Sequence, residues 1–333
     1  MADKPKFDPW YRNGLLRNAI GQALHEEMTA DPAIHLFGEG CDRKVHYDAP
    51  QIERDFPDRV HTMPICEDAS NGFALGTALL GVKPVVDIIT SDFIYRAMDS
   101  LANSLAKLNF VQAKGEPPKT VLIRAEFLTA GPTTSARPEA MLAHVPGLHV
   151  AIPSTPRDAY GMTRTALHTP GVTVLFEDRM IADALLKERP EDCEPLDEVV
   201  PFGQAALRRN HPEARLIIIT YGLMRQVVEE ALKGVDAPLD LIDLRWIYPL
   251  DWWALETSAR KTRRVLIVEP GIQYGGVGAE IAAHLAESVS GVMIRRMGGR
   301  RGTLPAAMTL HTQFMPQSSQ IAEAVQSMLV EVR

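Results

Sequence analysis

The chain has 333 residues, of which 46% are hydrophobic and 23% are charged, and its formal net charge is -7. This composition is ordinary for a globular protein of one or two domains, each able to bury a full core. The acidic balance provides no electrostatic footprint for nucleic acid or an anionic membrane, and no apolar run approaches the roughly 20 residues that cross a bilayer.

The N-terminal residues 1–13 are polar, contain Pro5 and Pro9, and are predicted to form an arm rather than a signal peptide. The three cysteines include no CxxC pair and suggest no disulfide framework. A reduced, cytoplasmic setting is therefore the expectation.

Strand and helix patterns then alternate along the chain. A helix is predicted from Asn13 to about Met28, followed by a brief strand at His35–Phe37. That strand ends in Gly38-Glu39-Gly40, and residues 41–58 are predicted to form a loop with a short helix.

The clearest pattern lies between residues 60 and 99. A strand at Val60–Ile65 precedes a helix over Asp68–Leu80, and Gly81 stands where a C-terminal glycine cap belongs. The β-branched run Val85–Ile89 is typical of a strand buried on both faces of a parallel sheet.

A second helix is predicted after that strand, with Asp92 as its N-cap and an apolar face that runs to Leu108. Glu67 and the Asp92–Phe93 pair thus occupy two strand-to-helix turns. Such turns lie at the carboxyl ends of parallel strands, where open sheets bind ligands.

The rest of the chain continues the alternation on both sides of one break. Residues 181–200 are charged, contain two prolines and are predicted to form a linker between domains at 14–180 and 201–333. Further strands are predicted at Thr120–Ala125, Leu148–Ile152, Val172–Phe176, Leu216–Thr220, Leu239–Leu244, Val265–Val268 and Val292–Arg295. The fold class is therefore α/β, with two doubly wound domains and mainly parallel sheets.

The central stretch resembles the beta subunit of the first, thiamine diphosphate-dependent component of the 2-oxo-acid dehydrogenase complexes. That family has Pro-x-x-Glu, a glycine-punctuated helix, Gly-x-x-Pro, and then an acid or amide before an aromatic residue. The matching residues here are Pro64, Glu67, Gly72, Gly76, Gly81, Pro84, Asp92 and Phe93. The resemblance covers nearly the whole chain and implies a transketolase-like pyrimidine-binding domain followed by a transketolase C-terminal-like domain.

The resemblance implies that Glu67 hydrogen-bonds N1′ of the cofactor's aminopyrimidine and thereby activates the cofactor. Taken on position alone, Glu67 is equally a carboxylate favoured by a helix dipole. An aromatic residue at Phe93 would stack on the aminopyrimidine, although the pattern also fits a core residue. Glu39 matches an acidic position near the cofactor, and its alternative is a loop carboxylate at a strand end.

The family's magnesium–diphosphate motif, Gly-Asp-Gly followed by an asparagine pair, is absent from this sequence. The resemblance therefore implies an alpha subunit that holds Mg²⁺ and the diphosphate, in a two-alpha, two-beta heterotetramer. A lipoyl acyltransferase is a further partner to which the acyl group would pass.

One loop departs from the family. A His-Ser-Gln-Ser-Pro-Glu-Ala type run is replaced by Thr134-Ser135-Ala136-Arg137-Pro138-Glu139-Ala140, so that Thr134 stands in the place of a histidine that acts on substrate. His144 matches a second substrate-side position, or is a structural histidine. Two reactions remain open: 2-oxo-acid decarboxylation with acyl transfer, and carbon–carbon cleavage or ligation of acyloins or diketones. The basic segment Arg295–Arg301 either lines a groove for an acidic partner or is a solvated loop.

Overall fold

The computed structural model describes residues 15–39, 49–129, 131–193 and 195–330. The predicted N-terminal arm, Asn13, Gly40 and residues 41–48 of the predicted loop lie outside these residues. No helix in the described ranges combines the length and the apolar character that a bilayer crossing requires.

Twelve strands in the described ranges form two sheets. They are β1 (Ile34–Glu39), β2 (Val60–Met63), β3 (Lys83–Ile88), β4 (Thr120–Phe127), β5 (Leu148–Ala151), β6 (Gly171–Asp178), β7 (Ala206–Arg209), β8 (Leu216–Thr220), β9 (Leu239–Asp243), β10 (Trp246–Tyr248), β11 (Arg264–Ile272) and β12 (Met293–Gly299).

The first sheet has the order β10-β5-β6-β4-β3-β1-β2, and the second has the order β12-β11-β8-β9-β7. Every pairing is parallel except β10 with β5 and β7 with β9. The prediction of two mainly parallel α/β sheets is thus confirmed. Strands β3, β4 and β8 are buried except at Lys83. The sequence of β8 accordingly reads as a nearly continuous apolar run, whereas β4 also buries Arg124 and Glu126.

Helices cover these sheets. They are α1 (Leu15–Ala30), α2 (Ala49–Asp55), α3 (Glu67–Leu79), α4 (Leu108–Val111), α5 (Glu139–Ala143), α6 (Pro156–His168), α7 (Asp183–Lys187), α8 (Pro190–Cys193), α9 (Leu223–Ala231), α10 (Trp252–Thr262), α11 (Val277–Ser288) and α12 (Ser318–Val330). The segment predicted as a linker therefore contains α7 and α8. Gly81 follows α3 with a φ of +95°, as a terminal glycine should.

One apolar core runs through both halves of the chain. It joins Val86 and Phe176 of the first sheet to Ile219 of the second and to Leu255 of α10. Strand β10 adds a direct link, because it comes from the C-terminal half of the sequence but pairs with β5 of the first sheet. The two halves are therefore packed together by shared core and by strand pairing.

The helix predicted to follow Asp92 is irregular. A 3₁₀ helix over Ser91–Ala97 and a π-helix over Asp99–Ser104 precede a second 3₁₀ turn and α4. The apolar spacing is nevertheless satisfied, because the mixed pitch keeps Ile94 and Leu101 fully buried. The N-cap position belongs to Thr90, and the carboxylate of Asp92 is used elsewhere.

Candidate active site

Glu67 is the first residue of α3 and follows the edge strand β2. Its side chain is buried, with 7% of the residue exposed, at the end of the helix where the dipole favours a carboxylate. Among the residues that the structure describes, none forms a hydrogen bond with this carboxylate. The carboxylate of this largely buried residue thus keeps acceptor capacity that the described protein groups do not use.

Glu39 ends the neighbouring strand β1 and lies close enough to Glu67 to respond to its charge. Burial, and then the charge of Glu67, raise the pKa of Glu39 above its ordinary value, while the backbone N–H of Cys66 opposes this by donating a hydrogen bond. Its Oε1 is shielded from solvent and has no hydrogen-bond partner in the described ranges. The two predicted acids therefore form one cluster.

Phe93 follows β3, which pairs with β1, so it lies at the same edge of the first sheet as the two acids. Its backbone N–H donates to the carbonyl of Thr90 at 3.0 Å, and its half-buried ring packs against the core while part of it remains accessible. Strand β1 lies between β2 and β3 in the first sheet. The chain therefore runs from β1 to the neighbour on one side, β2, and then crosses to the neighbour on the other side, β3. Such a switch point opens the crevice in which doubly wound sheets bind ligands.

Asp92 holds the loop that carries Thr134 against this cluster. Its Oδ2 accepts a hydrogen bond from the backbone N–H of Ala136 at 2.9 Å. The hydroxyl of the preceding residue, Ser91, donates to the carbonyl of Ala136 at 2.6 Å. Asp92 therefore works as a clamp on a distant loop, and the prediction that it caps its own helix is wrong.

The two substrate-side candidates lie in different surroundings. Thr134 is half buried, and its backbone N–H donates to the carbonyl of Gly131 at 3.4 Å within the clamped loop. His144 is exposed at the end of α5 and lines a separate cavity of about 840 Å³ with Tyr248 and Trp252. None of Glu39, Glu67 and Phe93 lines that cavity.

Sequence reasoning missed a buried charge cluster behind the loop. The guanidinium of Arg137 lies 2.5 Å from Asp178 and 4.1 Å from the centre of the Phe127 ring. Glu139 is fully buried and accepts a hydrogen bond from the hydroxyl of Tyr221 at 3.2 Å. Burial raises the pKa of Glu139, although the charge of Arg137 opposes it. In the sequence, this charge cluster is indicated only by Arg137, which stands in the loop that differs from the family's.

Comparison with known proteins identifies the family. The family described as transketolase, pyrimidine binding domain, matches residues 15–183, and the family described as transketolase, C-terminal domain, matches residues 203–321. The 2-oxoisovalerate dehydrogenase subunit beta 2 of Arabidopsis thaliana is 30% identical over 323 residues, which cover 94% of this chain and 88% of that protein. The chain belongs to the beta-subunit family of the thiamine diphosphate-dependent 2-oxo-acid dehydrogenases.

Other members of this family are equally similar over their full length. The pyruvate dehydrogenase E1 component subunit beta of Rickettsia felis is 30% identical, with 93% of this chain and 96% of that protein covered. The beta-1 subunit of the same component from Oryza sativa subsp. japonica is 32% identical, with 93% and 85% covered. A solved structure titled "Split gene transketolase, inactive beta4 tetramer" has the same fold, with a TM-score of 0.79 over 96% of this chain and 99% of that chain at 21% identity.

Proposed function

We propose that this chain is the beta subunit of a heteromeric, thiamine diphosphate-dependent enzyme that decarboxylates a 2-oxo acid and transfers the acyl group. The observation that carries the proposal is the pair of buried carboxyl groups, Glu39 and Glu67, at the switch point of the first sheet. Oε1 of Glu39 is shielded from solvent and has no hydrogen-bond partner in the described ranges.

These residues fit an aminopyrimidine ring, which offers hydrogen-bonding nitrogen atoms and a flat face. In the proposed assignment, Glu67 holds a proton at the ring nitrogen N1′ and Phe93 stacks on the ring. Glu39 lies beside Glu67, and burial together with the charge of Glu67 raises the pKa of Glu39 above its ordinary value. Bound thiamine diphosphate supplies a carbon nucleophile that also accepts the electrons released on decarboxylation.

An alpha subunit is proposed to cover this cluster and to hold the diphosphate and Mg²⁺. The surface beside Glu67 is apolar and open: Ile65 is 81% exposed, Phe73 50% and Leu80 86%. Around Gly72 and Gly76, on the same helix, there is free space that would let another backbone approach. Exposed apolar surface of this kind is typical of protein interfaces.

The two-alpha, two-beta assembly and a lipoyl acyltransferase partner belong to the same proposal, since the relatives are named as subunits of dehydrogenases or of their E1 components. A cytoplasmic location stays a prediction, and the plant relatives are named as mitochondrial proteins.

The test is reconstitution with the alpha partner captured from native cell extract. The complex, with thiamine diphosphate, Mg²⁺ and an artificial electron acceptor, is expected to oxidise at least one 2-oxo acid. Glu67→Gln keeps the size of the side chain but cannot donate or take up the proton, so kcat is expected to fall by a factor of about 10²–10⁴. Glu116→Gln, at an exposed loop carboxylate, is the matched control. Retention of kcat within tenfold in Glu67→Gln would overturn the assignment.

A second function, cleavage or ligation of acyloins or diketones, is favoured by one observation. Threonine cannot titrate near neutral pH, and Thr134 replaces the histidine of related loops. The same reconstituted complex distinguishes the two functions, because turnover of acyloins or diketones without any 2-oxo acid would replace the first function by the second. Acylation of a lipoyl domain would support the first.

A further inference from the structure

A cavity of about 340 Å³ lies between the two halves of the chain, beside the turn that carries Phe93. Its walls include Asp92, Tyr95 and residues 135–137 from the N-terminal half, and Gly271 and Arg300 from the C-terminal half. The volume is in the range of small-molecule sites, which begins at about 300 Å³. Two arginines, Arg137 and Arg300, line this one small cavity together with Asp92, the residue before Phe93.

Arg137 is the buried member of this pair, with only 7% of its side chain exposed. One terminal nitrogen, Nη2, pairs with Asp178, and the plane of the guanidinium stacks on Phe127. The other terminal nitrogen, Nη1, is shielded from solvent and has no hydrogen-bond partner in the described part of the chain. A buried cation seldom leaves a donor unsatisfied, because the group has then lost its hydration without compensation, so this arrangement requires an explanation.

The nearby acids do not supply the missing partner. Asp92 accepts the backbone N–H of Ala136 and is turned toward the loop. Glu139 accepts from the Tyr221 hydroxyl through Oε1, and its Oε2 is shielded from solvent and forms no hydrogen bond with Arg137 or with any other described residue. Asp178 is already bonded to Nη2. Arg137 is thus a cavity-lining residue with one donor that the described groups do not use, and its positive charge suits an anion that enters the cavity.

We propose that Arg137 makes this cavity a recognition site for a second carboxylate, located at the far end of a dicarboxylic 2-oxo acid. This inference rests on the proposed function. The carboxylate that leaves as CO₂ loses its charge in the transition state, so an arginine bound to it would stabilise the ground state and slow the reaction. A remote carboxylate keeps its charge throughout, and its binding orients the reacting carbon without that penalty.

The loop over residues 134–140, which differs from the family's, explains why a preference for a second carboxylate would be particular to this chain. In the run described above, Arg137 stands where the family's loop has serine, a residue too short to reach Asp178 and uncharged. The hydrogen bonds from Ser91 and Asp92 to Ala136 fix the backbone next to Arg137, and Asp178 fixes its guanidinium. A preorganised, desolvated guanidinium binds a carboxylate more strongly than an exposed one does.

The experiment uses the reconstituted complex with its alpha partner and compares 2-oxoglutarate with 2-oxopentanoate, which has the same five carbons but no second carboxylate. Each enzyme preparation is assayed with both substrates, and the quantity compared is the ratio of the two kcat/KM values. This ratio does not depend on the fraction of folded enzyme. Wild type is expected to favour 2-oxoglutarate, and Arg137→Ser is expected to lower the ratio by about 10- to 100-fold.

Two further variants control for structure. Arg137→Lys keeps the positive charge and is expected to retain part of the preference. Arg301→Ser removes a neighbouring arginine that stacks over Tyr274 and does not line the cavity, and it is expected to leave the ratio unchanged. A wild-type preference for 2-oxopentanoate, or a ratio unaffected by Arg137→Ser, would overturn the inference while the proposed function stands. No turnover of any 2-oxo acid would overturn both.

Discussion

Asp158 ties the two halves of the chain together, and Asp158→Asn is expected to destabilise the protein strongly. The carboxylate is buried at the start of α6 and forms ion pairs with Arg208 of β7 and with Nε of Arg245, 2.8 Å away. The Thr155 hydroxyl donates a further hydrogen bond at 2.7 Å. Asparagine has nearly the same size, so the loss comes from the missing charge rather than from a cavity.

The size of the loss in the free energy of unfolding depends on which carboxylate partners Arg208 and Arg245 retain in Asp158→Asn. Removing one partner of a buried ion pair costs about 3–5 kcal/mol, because the other charge stays buried without compensation. Arg208 retains a second carboxylate, that of Asp243 at 2.9 Å, which limits the loss. The free energy of unfolding is therefore expected to fall by about 3 kcal/mol, which shifts the urea midpoint by about 1 M if the denaturant slope is about 3 kcal/mol/M.

The effect is expected to depend on pH with a definite sign. Burial by itself raises the pKa of Asp158, but the charges of Arg208 and Arg245 outweigh burial and hold this pKa below its ordinary value. A carboxyl group with a lowered folded pKa stabilises the native state at pH values above its unfolded pKa, about 3.9, and loses this contribution as the pH falls through the folded value. Wild type and Asp158→Asn should differ by a constant amount from pH 5 to 8 and converge below about pH 4.

The assay is urea denaturation followed by intrinsic fluorescence, since Trp246 is fully buried in the strand that links the two halves. Lys233→Gln, which breaks an exposed pair with Glu230, is the control and should leave the midpoint unchanged. Equal midpoints for wild type and Asp158→Asn at pH 7 would refute the reasoning. So would a difference that persists undiminished at pH 3.

Three further outcomes are expected. Gly147→Ala should destabilise by about 3 kcal/mol or more, measured by urea denaturation against Gly234→Ala as control, because its Cβ would lie 1.8 Å from the backbone oxygen of Ala106 at a φ of +95°. Glu39→Gln should raise the urea midpoint at pH 7 and not at pH 3.5, because a carboxyl with a raised pKa destabilises the fold as it ionises; an unchanged midpoint at pH 7 would contradict this. Asp92→Ala should lower kcat/KM of the complex at least tenfold by releasing the loop that it clamps, and wild-type activity would show that the clamp is dispensable.

The sequence by itself determined the class of fold and the turn that carries Glu67. Parallel strands buried on both faces must be apolar along their length, as Leu216–Thr220 is, and helices must repeat their apolar residues every three or four positions. These are local constraints, so a single sequence reveals them, and most predicted strands differ from the observed ones mainly at their ends. The strands β7 and β10 were not predicted, and the helix predicted after Asp92 is irregular. The family resemblance added the proposed role of Glu67, which its position alone left undecided.

Only the tertiary structure decided which distant polar groups meet. Asp92 has the sequence of an N-cap, yet its carboxylate binds a backbone N–H 44 residues further along the chain. Arg137 finds Asp178 41 residues away, and β10 joins the sheet of the other half. Periodicity encodes which face of an element is buried, but it carries no information about the partner across the fold. The buried carboxyl pair and the arginine-lined cavity are products of that packing.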